Sequence, residues 1–103
     1  MRVAICEDDQ YHRELIFNAI NNFALFHELS IEIVFCTDNP NKLLQIIQSK
    51  QIDCYILDIE LNEVKNGMII AIAIREKDPL AHIIFVTTHA LDFIVKNYPN
   101  KLR

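Results

Sequence analysis

The chain predicts a doubly wound α/β domain with a parallel sheet, and three observations carry that reading. Apolar strand-like runs alternate with segments of helical periodicity in the order β-α-β-α-β-α-β-β, as α/β sheets do. The stretch Ile52 to Asp58 is too short to span a membrane and too continuously apolar for a half-exposed strand, so it reads as a buried central strand. Finally, 103 residues, about half of them apolar, suffice for one domain with one modest core. A single Gly and three Pro argue against a turn-dense all-β fold and against disorder.

Each element has its own signal. Arg2 to Cys6 is a β-rich apolar strand, stopped by Glu7-Asp8-Asp9, with Asp9 placed to cap a helix. Leu15, Ile16, Ala19, Ile20, Phe23 and Phe26 recur every three to four residues, which predicts an amphipathic helix to about Leu29. Ile31 to Cys36 is a second strand. Asn39-Pro40 is a cap followed by proline at the first helical position, opening a short helix to about Lys50. Ile52 to Asp58 is the third strand. Met68 to Ile74 is apolar at every position, so its period is ambiguous. Its alanines and the need for a crossover between parallel strands favour a helix, opened by Asn66-Gly67 and ended by Asp78-Pro79. His82 to Thr87 is the fourth strand and Leu91 to Val95 the fifth.

Composition excludes several classes. The formal charge is −4 and the ten basic residues are scattered, which does not make a nucleic-acid surface. No targeting or membrane segment is visible, because acids begin at Glu7 and the longest apolar run falls far below the ~18 residues of a spanning helix. Cys6, Cys36 and Cys54 are odd in number, form no Cys-x-x-Cys, and read as buried small hydrophobes in a reducing compartment. A redox role is kept open only for Cys6, beside the acids. His12, His27, His82 and His89 show no i, i+4 pair and read as surface or strand-end residues.

The chemistry gathers at strand ends. The first strand ends in Glu7-Asp8, the third in Asp58, the fourth in Thr87-Thr88 and the fifth in Lys96. Carboxyl ends of parallel strands share one edge of the sheet, where ligands of such folds bind. Three carboxylates in one crevice repel one another unless a cation sits among them, and an all-oxygen set selects a hard ion such as Mg²⁺. With a hydroxyl and a lysine as further donors, the set suits phosphoryl transfer to a carboxylate: Asp58 attacks, while Thr87 and Lys96 bind the remaining oxygens. Singly, each signal has a plain reading as a helix cap, turn residue or solvated surface. Their specificity lies in falling at successive strand ends in one chain.

Together the pieces ICEDD, YILDIEL, NG before the third helix, IIFVT and DFIVK resemble the receiver domain of bacterial two-component response regulators, most closely those of LytTR-type regulators. The resemblance implies a flavodoxin-like receiver fold of strand order 2-1-3-4-5, spanning residues 1–103. It implies Asp58 as phosphoacceptor, with Mg²⁺ held by Glu7, Asp8, Asp58 and the main-chain carbonyl of Glu60. Thr87 is then the switch hydroxyl, and Lys96 pairs with the phosphoryl group. Asn97 stands where the family's proline follows that lysine. A sensor histidine kinase is the implied partner, with homodimerisation on phosphorylation, cytoplasmic localisation and output through a C-terminal LytTR DNA-binding domain. That domain is expected to be absent here, leaving a receiver fragment without direct DNA binding. No small-molecule turnover is implied. A haloacid-dehalogenase-like phosphohydrolase is disfavoured, because that class typically carries Asp-x-Asp and here Glu60 lies two residues after Asp58. A pseudo-receiver that only docks partners is disfavoured by retention of every site residue.

One departure is a matter of counting. Lys96 lies nine positions after Thr87, and most of the residues between them are the strand itself. A parallel neighbour needs a crossover of about a dozen residues or more. So the helix that the family places between strands 4 and 5 is missing, and against the family's pattern the last helix is truncated as well. Either a segment carrying the crossover is absent from the chain as read, or the deletion is real and the fifth strand pairs antiparallel or with another copy. The first is expected, because Lys96 is otherwise stranded from Asp58.

Overall fold

A computed structural model describes residues 1–60, 66–87 and 96–97. In chain order the elements are β1 (Arg2–Cys6), α1 (Gln10–Phe26), β2 (Glu32–Thr37), α2 (Pro40–Ile46), β3 (Cys54–Asp58), α3 (Gly67–Lys77) and β4 (His82–Val86). The strands form one parallel sheet of order β2-β1-β3-β4, the first four places of the expected arrangement. Residues 91–95, expected as a fifth strand, lie outside the described residues. The chain is continuous from Met1 to Arg103, so no crossover segment lies hidden between Thr87 and Lys96. That expectation is corrected: the connection is short in this chain. No helix among the described residues is long and apolar enough to cross a membrane.

Local chemistry sets the helix starts. Asp9 caps α1 by accepting the His12 N–H at 2.9 Å. Asn39 caps α2 through the Asn41 N–H at 2.8 Å, with Pro40 opening the helix. Asn66 caps α3 through the Ile69 N–H at 3.1 Å. The apolar segment of ambiguous period is thus a helix. It ends at Asp78, with Arg75 and Lys77 in the last turn, where cations suit the carbonyl end of the helix dipole. α1 closes at Phe26, short of Leu29, and Glu28 turns the chain with a positive φ of 54°.

Period-two alternation splits the core into two layers. Ala4, Cys6, Tyr55 and Leu57 pack against Leu43 of α2 and Ile70 and Ile74 of α3. Val3, Ile5, Cys54 and Ile56 pack on the other face against Ile16 of α1. β1 and β3 are therefore covered on both sides, as parallel strands require. The rest of the α1 side is thinner: Phe23 and Phe26, expected on the buried stripe, are 54% and 82% exposed. At the amino-terminal edge Asp53 ties three strands. Its Oδ2 accepts the Arg2 N–H at 2.8 Å, its N–H donates to Arg2 O, and its carbonyl accepts the His82 N–H.

Leu43 and Ile70 are fully buried, whereas Leu25 is 81% exposed. Leu43→Ala and Ile70→Ala should each destabilise the domain by about 2–5 kcal/mol. Leu25→Ala should stay within about 0.5 kcal/mol. Urea unfolding of the three variants checks this division of the apolar residues.

Candidate functional site

Strand register brings the acids together. Cys6 pairs with Leu57, so the residues that follow, Glu7 and Asp58, stand level at the carboxyl edge. Glu7 continues the row Val3, Ile5, and Asp58 continues the row Cys54, Ile56, both on the α1 side. Asp8 adds a third carboxylate. Oxygens of Glu7, Asp8 and Asp58 lie within 4.8 Å of one another, with Glu7 and Asp58 each 1% exposed and Asp8 at the surface. The main chain locks the cluster. Glu7 N–H donates to Thr37 O at 3.0 Å, and Arg13 Nη1 donates to Glu7 O at 2.9 Å. Glu60 N–H donates to Asp58 Oδ1 at 2.9 Å.

Three buried carboxylate oxygens of the cluster find no hydrogen-bond donor among the described residues. Glu7 Oε1, Glu7 Oε2 and Asp58 Oδ2 are buried, and no described donor meets them. Burial first, then the Asp58 and Asp8 carboxylates, raises Glu7 from about 4.5 to about 8. The two buried carboxyls are close enough for a proton on Glu7 to bear on Asp58, although no hydrogen bond of ordinary geometry joins them. Asp8 is also raised, by burial and then by Asp58. Three carboxylates whose buried oxygens meet no hydrogen-bond donor among the described residues make an all-oxygen set that fits a hard divalent cation.

The other expected residues fall as follows. Thr87 follows β4, half-buried, beside Val86, whose carbonyl accepts the Ile59 N–H at 3.4 Å. Glu60 is exposed, directly after Ile59. Lys96 is exposed and helical in backbone, and the strand expected to precede it lies outside the described residues. Cys6 is fully buried beneath the acids, and burial together with Glu7 and Asp8 pushes its thiol up to about 12. A thiol so disfavoured as thiolate is a poor redox centre. Cys54 is buried as expected, but Cys36 is exposed.

The sequence reading missed His12, which it took for a surface or strand-end residue. His12 is 6% exposed, and its Nδ1 stands 3.7 Å from Glu7 Oε1 and 3.4 Å from Asp9 Oδ1. The signal was present in the spacing. Asp9 caps α1 and bonds the residue three positions on, so the side chain at that position is carried back toward the strand end.

Glu7 gives the domain a pH dependence of definite sign. Between about 4.5 and about 8 the folded chain holds a proton that the unfolded chain has released. Stability is then fully present below the lower value and is lost as pH rises through the upper one. Glu7→Gln should flatten that loss and exceed the parent in stability near the upper end, in chelator-treated buffer. Urea midpoints across this range check it, and parallel profiles for parent and variant would contradict it.

Comparison with known proteins gives the family and the fold. The model of the response regulator receiver domain matches residues 3–100. Accessory gene regulator protein A of Staphylococcus epidermidis is 37% identical over 119 aligned positions, covering 100% of this chain and 49% of that protein. The chain thus spans about half the length of the curated relatives it matches. It fills those 119 positions with 103 residues, a shortfall of 16, about the size of a crossover helix and its turns. Among solved structures, the response regulatory domain of protein mrkE from Klebsiella pneumoniae superposes with a TM-score of 0.68 at 27% identity, covering 95% of this chain and 79% of that one. The N-terminal domain of a response regulator/sensory box/GGDEF 3-domain protein from Carboxydothermus hydrogenoformans gives 0.70 at 21% identity, over 86% of this chain and 66% of that one, a likeness of fold. The chain belongs to the response regulator receiver family.

Proposed function

We propose that this domain accepts a phosphoryl group from the phosphohistidine of a sensor histidine kinase onto Asp58, in a Mg²⁺-dependent reaction. The observation that carries the reading is the cluster of Glu7, Asp8 and Asp58 within 4.8 Å, two of them buried with oxygens that no donor among the described residues satisfies. Glu7, Asp8, Asp58 and the Glu60 carbonyl would hold the ion. When bound, Mg²⁺ offsets the charge of the carboxylates and of the incoming phosphoryl oxygens.

The chain's own residues do the rest. Asp58 Oδ1 is engaged by the Glu60 N–H, which orients the carboxylate and leaves Oδ2 as the nucleophile. Oδ2 forms a bond to phosphorus as the P–N bond to the imidazole breaks. The electron pair leaves on nitrogen, which takes up a proton. Little covalent work falls to the protein, so placement of the oxygen is its main contribution. Thr87, close to the Asp58–Ile59 turn through Val86, is the switch hydroxyl in this reading. Lys96 is its cationic partner for the phosphoryl group in the same reading. The site serves signalling and turns over no small molecule. Its output is transcription regulation of the accessory-gene-regulator, quorum-sensing kind, in the cytoplasm. It works through a DNA-binding domain outside this chain and through homodimerisation on phosphorylation.

Intact-mass measurement after incubation with acetyl phosphate and Mg²⁺ should show one added phosphoryl group on the parent and none on Asp58→Asn. Full incorporation into that variant would remove Asp58 from the role. Mg²⁺ at about one hundred times its Kd should stabilise the parent by about 2.7 kcal/mol. Asp8→Ala should lose most of that gain in a thermal melt, whereas an equal gain in both would mark a general salt effect.

A further inference from the structure

The acceptor turn and the start of α3 meet backbone to backbone at Gly67, the one glycine of the chain. A Cβ on Gly67 would stand 2.5 Å from the Asp58 carbonyl oxygen, 2.9 Å from Ile59 Cα and 3.1 Å from the Asp58 carbonyl carbon. Real Cβ atoms essentially never approach closer than 3.0 Å. The obstructing atoms are main chain, which cannot swing aside as the tip of a side chain can. Gly67 does not have a positive φ, so the usual conformational reason for a glycine does not apply. It also opens a helix, for which glycine is a poor former. Close approach is the reason that remains. The contact is reinforced by a bond, because the Gly67 N–H donates to Ile59 O at 3.0 Å.

We propose that Gly67 is the positioning residue of the acceptor turn: its bare Cα lets α3 start against the Asp58 carbonyl and so fixes where the Asp58 carboxylate stands relative to Glu7 and Asp8. The proposal rests on the reading of Asp58 as acceptor. Glu7 and Asp8 follow β1, whereas Asp58 is carried by β3 and by the turn that Gly67 clamps. A side chain at 67 must either push the Asp58 main chain or drive α3 back. Both loosen a carboxylate whose partners stay in place. Such constellations tolerate displacements of about 0.5 Å, and a misplacement of about 1 Å can cost on the order of 10²-fold in rate.

The test compares Gly67→Ala with Ala71→Gly, one turn further along. The second variant weakens the same helix but brings no atom near the turn. Gly67→Ala should lower the maximal rate of phosphoryl uptake from acetyl phosphate about tenfold or more, with little change in the half-saturating concentration. It should also move the amide resonance of Glu60, the donor to Asp58. Ala71→Gly should do neither. An unchanged rate and an unmoved Glu60 amide in Gly67→Ala, or equal slowing in both variants, would overturn the proposal. A parent chain that takes up no phosphoryl group would defeat the acceptor reading instead, and the Glu60 resonance, which needs no donor, would still decide the role of Gly67. The link is readable without any substitution as well. Titrating the parent with Mg²⁺ should move the Gly67 and Glu60 amides with one midpoint, and a silent Gly67 would refute the clamp even if Gly67→Ala does not fold.

Discussion

The in-register pairing of β1 with β3 is the constraint on which the rest depends. Cys6 opposite Leu57 sets Glu7 level with Asp58. The pleat then turns both toward α1, over a layer of Val3, Ile5, Cys54 and Ile56. Burying two carboxylates side by side is unfavourable, and Glu7 registers the strain by holding its proton far above the ordinary range. The apolar layers on both faces offset that cost. A slip of one residue in this pairing would send one acid to the opposite face and dissolve the cluster.

Much of this was legible before any coordinates, because the signals were local. Asp9, Asn39 and Asn66 cap helices with their own side chains, so residue type and position identify them. The acids at the ends of β1 and β3 were visible because parallel strands present their carboxyl ends on one edge. The ambiguous run Met68 to Ile74 was resolved by connectivity, since a crossover between parallel strands had to come from somewhere. Glu7 and Asp8 look alike in sequence. Glu7, directly after β1, is buried, and Asp8, one residue further from the strand, is exposed.

What escaped were properties set by neighbours distant in sequence. His12 lies in a polar stretch and reads as solvated, but the strand end beneath α1 buries it. Phe23 and Phe26 have the spacing of a buried stripe, yet they stay exposed while Ala24 between them is buried. Cys36 sits in an apolar strand whose outer position leaves it at the surface. The short link from Thr87 to Lys96 was found by counting, and no periodicity would have exposed it.

Asp53 shows how the two ends of the strands differ. At the amino-terminal edge a single residue fastens β1, β3 and β4 through its carboxylate, its amide and its carbonyl. At the other edge the acids are left with oxygens that no donor among the described residues satisfies. The sheet is thus stitched shut at one rim and left chemically open at the other. Rigidity and responsiveness are separated along the length of the same few strands, so the site can change charge and partner while its foundation stays fixed.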